Sequence, residues 1–115
     1  MQLIDLGQSV KYIPIDVSKV PYTFSAKLDD KTYSFLIRYN GEGGFTADLS
    51  IASTGERLCY GDPIRYGRPL FGSVEDDRYP LPVIIPLCLT GDDIHEVTFD
   101  NLGKQVKLYL YERVI

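Results

Sequence analysis

The feature that most narrows what this chain can become is a period-two alternation running almost unbroken from Tyr22 to Ile51. Tyr22, Phe24, Ala26 and Leu28 alternate with Thr23, Ser25 and Lys27. Beyond the connector "LDDKT", Tyr33, Phe35, Ile37 and Tyr39 share one side while Ser34, Leu36, Arg38 and Asn40 take the other. Phe45, Ala47, Leu49 and Ile51 then alternate with Thr46, Asp48 and Ser50. Successive side chains of a strand point to opposite faces, so each run predicts a half-buried strand, with Leu36 as the one misfit. Asp-rich "LDDKT" suits a tight hairpin turn, and "NGEGG" at residues 40–44 supplies positive-φ positions for the next reversal. "STGE" at 53–56 ends the third run. A fourth, "RLCY", puts Leu58 and Tyr60 on one face and Arg57 and Cys59 on the other. The expectation is an antiparallel meander of four strands.

The remainder is more heavily punctuated. Gly61, Pro63, Gly67, Pro69, Gly72, Pro80 and Pro82 leave room for a loop with one short strand. "LPVIIPLCL", residues 81–89, is apolar on both faces and contains Pro86, which reads either as a buried edge strand interrupted by the proline or as part of a subunit contact. "TGDDIHEVTFDNLGKQ" is polar turn material. The closing "QVKLYLYERVI" sets Val106, Leu108 and Leu110 on one face against Lys107, Tyr109 and Tyr111 on the other. No window sustains a 3.6-residue period. With 115 residues and no linker or repeat, the sequence predicts a single all-β domain over residues 1–115, closing either as a small barrel or as a two-sheet sandwich.

Composition excludes several classes of function. No stretch approaches the roughly 18 apolar residues that span a bilayer, and "MQLIDLGQSVKY" lacks the basic-then-apolar order of a leader, so neither membrane insertion nor secretion is expected. The net charge is −4, and residues 41–100 hold four basic groups against eleven acidic ones, which argues against a nucleic-acid partner. Cys59 and Cys88 are expected as thiols. With one histidine and no CxxC or HxxxH pair, no metal or other cofactor is expected.

The sharpest chemical cluster is "GDDIHE", where Asp92, Asp93, His95 and Glu96 fall close together and offer the residue types of acid–base or metal chemistry. Gly followed by two Asp is also ordinary turn chemistry, and that reading is preferred. "EDDR", with Asp76, Asp77 and Arg78, is treated as a hydrated loop for the same reason. "GEGG" feeds a strand, not a helix whose amides would hold a phosphate. No catalytic residue is assigned, and the chain is not expected to be an enzyme. Nine tyrosines without a tryptophan are more suggestive. Tyr109 and Tyr111, opposite the apolar face of the last strand, either mark an interface or lie under cover because both faces of that strand are buried within the chain.

The order "YIPID … YTFSAKLDDKTYSFLIRYN … FTADLSI … GERLCYGDPIRYGRPLF … LPVIIPL … DNLGKQVKLYLYE" resembles the small plug proteins of phage contractile-tail baseplates, from Tyr12 to Glu112. The resemblance lies in the hairpin Phe24–Tyr39 with the run Phe45–Leu49, the turn at Gly55, the segment from Gly67 to Leu70 and the acidic turn Asp100–Gly103. It implies a non-enzymatic structural protein of the virion, of phage or prophage origin, assembled in the host cytoplasm and seated in the tail baseplate. It also implies that the chain helps close the tail-tube lumen through contacts with hub, spike and tail-tube proteins and with copies of itself around the tail axis. Candidate contact residues are Tyr109, Tyr111, Val83, Ile84, Ile85 and Leu87. Two competing functions remain. A monomeric ligand- or glycan-binding β module would use exposed tyrosines and the acidic 91–100 loop, and a hydrolase would depend on His95.

Overall fold

A computed structural model describes residues 11–72, 78–80 and 82–111. Alternation becomes strand wherever the sequence sustains it. The strands are β1 (Tyr12–Ile13), β2 (Tyr22–Leu28), β3 (Lys31–Tyr39), β4 (Phe45–Ile51), β5 (Arg57–Pro63), β6 (Val83–Cys88) and β7 (Val106–Tyr111). They form a four-stranded sheet in the order β2-β3-β4-β5 and a three-stranded sheet in the order β1-β7-β6, every neighbour antiparallel. Among the described residues no strand bonds one sheet to the other, so the fold is a two-sheet sandwich and not a closed barrel. Among the described residues there is no α-helix, only 3₁₀ turns at Val17–Lys19 and Gly41–Gly43.

The predicted four-stranded meander is present, and β2, β3 and β4 keep the predicted sidedness. Phe24 opposes Phe35, which opposes Leu49, and Ile37 opposes Ala47. Phe35, Ile37, Ala47 and Leu49 have no exposed surface, and with Val106 and Leu108 of the other sheet they belong to one core. The β2–β3 turn is two residues long, with Asp29 at φ 61° as Asp tolerates. Thr32 accepts a bond from the Ala52 amide through its carbonyl, on the β4 side, so its neighbours Lys31, Tyr33, Phe35 and Ile37 turn their backbone polar groups toward β2. Leu36, the misfit, lies on the outer face between Thr23 and Asp48.

β5 departs from expectation. It runs on to Pro63, beyond the expected end at Tyr60, and its register against β4 shifts on both sides of Leu49. The irregularity is a bulge, helped by Gly61 at φ 68°. It breaks the simple alternation expected of "RLCY". Leu58 and Cys59 pack toward the core, while Arg57 and Tyr60 meet, the guanidinium 5.1 Å from the ring centroid.

β6 is a strand despite Pro86, for a geometric reason. Pro86 opposes Leu108 of β7, but its carbonyl accepts from the Gly67 amide on the other side. In an antiparallel strand the N–H and C=O of one residue point the same way, so the donor that proline lacks is not needed by the β7 ladder. The outward edge of β6 is lined by the segment before it. Leu70 N–H donates to Ile84, Gly67 N–H to Pro86, and Cys88 N–H to the Tyr66 hydroxyl. Within the stretch expected as a loop with one short strand, residues 66–70 are therefore an edge cover, bridged at Leu70.

Candidate interaction surface

Of the titratable clusters singled out in the sequence, "GDDIHE" lies wholly among the described residues, and its side chains do not converge. His95 Nε2 pairs with Asp93 Oδ1, but their side chains are 80% and 92% exposed, an arrangement that water dominates. Asp92 accepts a bond from the Thr90 hydroxyl, while Ile94 and Val97 pin the loop to the core. No group of three or more His, Cys, Asp or Glu among the described residues is placed to hold a metal ion. Cys59 and Cys88 are free thiols in different sheets. Burial, reinforced by Asp62 and Asp48, pushes the Cys59 thiol up and disfavours its reactive form. In "EDDR", residues 75–77 lie outside the described residues, and Arg78 meets Glu56 at 2.8 Å.

The candidate contact residues divide between two faces. Val83, Ile85, Tyr109 and Tyr111, with Leu87 beside them, form a separate apolar cluster on the face of β6–β7 that alternation turns away from the main core. Ile84 points the other way and belongs to the main core. Tyr109 is 7% exposed and Tyr111 3%, so both faces of β7 are covered and neither ring is offered freely to solvent. Burial raises the pKa of both phenols. The Tyr111 hydroxyl is buried and has no hydrogen-bond partner among the described residues. At the margin of this layer, Tyr12 is 43% exposed, packs edge-on against Tyr109 and carries the Lys107 ammonium 4.2 Å above its ring. Leu89, just past β6, is 48% exposed.

Two further aromatic features were not singled out from the sequence. Tyr39 and Phe99 are both exposed and pack on buried Phe45, at centroid distances of 5.1 Å from each other and 4.8 and 6.0 Å from Phe45. Phe99 stands alone in polar loop sequence, so only the fold brings it to the end of the alternating run at Tyr39. Tyr60 lies between Arg38 and Arg57, on the outer face of the larger sheet. Beneath it Asp48 is buried, holding Arg38 at 2.9 Å and the Gly61 amide at 2.8 Å. An aspartate in an alternating run gave no hint of this, because the bulge that buries it is a property of β5.

The family described as "Cyanophage baseplate Pam3 plug gp18" matches the chain over residues 10–113. No curated protein and no solved structure gives a significant match.

Proposed function

The chain belongs to the family of the cyanophage baseplate plug, and from that premise we propose that it closes the tail-tube lumen beside the hub and spike until infection. A baseplate plug is a structural part of the phage tail, associated with other baseplate and tail proteins. The observation that carries this reading is the extent of the family match. Residues 10–113 take in all seven strands, so both sheets and their connections fall inside the shared region.

The physical character of the molecule supports the same role. Its core runs continuously through both sheets, and residues 66–70, which include Pro69, are bonded to the β6 edge. Such a body resists deformation under load. The acidic, histidine-bearing loop at 91–96 lies open to water, which favours a part that works by contact and not by turnover. The contacts use the exposed apolar margin of β6–β7, where Tyr12 and Leu89 are the groups a neighbour reaches, while Val83, Ile85, Tyr109 and Tyr111 form the covered layer behind them. The partners are hub, spike and tail-tube proteins, and the chain joins them in the host cytoplasm.

Complementation of a phage lacking this gene tests the reading. The double variant Tyr12→Asp with Leu89→Asp removes the apolar margin at two exposed positions. It should fold, as judged by an unchanged circular-dichroism spectrum, yet fail to co-purify with hub and tail-tube proteins and fail to restore infectivity. Full rescue by this variant would remove the assigned contact layer.

A further inference from the structure

A β-sandwich has four sheet edges, and in this one three are blunted by recognisable devices while the fourth is not. The β1 edge is two residues long and is followed by Pro14. The β6 edge is lined by residues 66–70 through the bonds at Ile84, Pro86 and Cys88. On β5 the bulge and Pro63 break the line, and the Leu58 carbonyl accepts a bond from the Tyr79 hydroxyl. β2, by contrast, is a regular seven-residue strand in unbroken register with β3, and no strand among the described residues pairs with its other side.

The direction of its free amides follows from the hairpin. Leu28 opposes Lys31 across a two-residue turn and Ala26 opposes Tyr33, whose backbone faces β2. Tyr22, Phe24, Ala26 and Leu28 therefore spend their N–H and C=O groups on β3, and those of Thr23, Ser25 and Lys27 point outward. All three of these side chains are exposed, and only Lys27 carries a charge. On the inner face, Tyr22, Phe24 and Ala26 are only partly buried, whereas Phe35 and Ile37 in the next strand are wholly so. The core runs out at β2 with apolar side chains still half open.

We propose that β2 pairs antiparallel with β2 of a second copy, centred on Ser25. In that register Ser25 faces Ser25, and Thr23 faces Lys27 on both sides of the two-fold axis. Each outward residue exchanges both its main-chain bonds with its opposite number. Phe24 comes opposite Ala26, and Tyr22 opposite Leu28, so the apolar inner face continues across the join and two four-stranded sheets become one. The register is self-selecting. Sliding one way brings in Pro21, which has no N–H, and sliding the other moves Lys27 toward Lys27 of the second copy. The inference stands on this strand edge and not on the baseplate role, so its failure leaves that role untouched.

Sedimentation velocity of the full chain, from low to high micromolar concentration, tests it. The unaltered chain should pass from monomer to dimer. Thr23→Lys, which opposes two lysine pairs across the axis, should weaken the dimer by about tenfold. Adding Lys27→Glu, which turns both pairs into attractions, should restore it. In the unaltered chain, amide exchange at Thr23, Ser25 and Lys27 should slow as concentration rises, a readout that requires no variant. A chain that stays monomeric, a dimer indifferent to Thr23→Lys, a failed rescue, or β2 protection seen only with a strand from another baseplate protein would each overturn the proposal.

Discussion

Tyr111 shows how far a single residue can be out of balance in an otherwise well-satisfied fold. Its ring fills the layer between Val83, Ile85 and Tyr109, but its hydroxyl is buried without a partner among the described residues. An unpaired buried hydroxyl costs about 1–3 kcal/mol, so Tyr111→Phe should leave stability unchanged or raise it by about 1 kcal/mol in urea unfolding. The three buried phenols at Tyr33, Tyr109 and Tyr111 also set an alkaline limit. Burial raises the pKa of each above the ordinary tyrosine value of about 10. The folded chain thus holds these protons more tightly than the unfolded chain, and the stability this confers is complete below that value and lost as pH climbs through the folded pKa. The melting temperature should fall in the alkaline range more steeply for the unaltered chain than for Tyr111→Phe.

At the scale of elements, the turn before β7 is held by an approach that only glycine allows. Gly103 has φ 85°, and a Cβ there would sit 2.2 Å from the Ile15 carbonyl oxygen, just past β1. Gly103→Ala should therefore destabilise by more than about 1 kcal/mol, visible as a lower urea midpoint with an unchanged slope. This scale also shows what could be read beforehand. β2, β3 and β4 were legible because each buries one face, and a period of two then dictates which residues go inside. The bulge in β5 was hidden, since it depends on how Asp48 and Gly61 meet across strands. Pro86 was ambiguous because proline's compatibility with a strand depends on which way its nitrogen points, and only the bond from Gly67 reveals that. The faces on which the candidate contact residues lie were half legible. Alternation correctly set Tyr109 and Tyr111 opposite Leu108, but it could not say that their own face is covered, or that Ile84 turns inward while Val83 and Ile85 turn outward.

As a whole the molecule is a slab, with extents of 39 × 36 × 21 Å. The short dimension matches two sheets about 10 Å apart with their outer side chains. Such a slab presents broad faces, the geometry of a part that fits against neighbours. We propose the tail axis at the baseplate as the seat of this body, and a reconstruction of the intact phage tail would find it there. Density at the baseplate end of the tube should fit both sheets of this sandwich, with the Tyr12 and Leu89 margin against hub or tail-tube protein. A lumen open at that point, or the chain bound at the tail periphery instead, would contradict it.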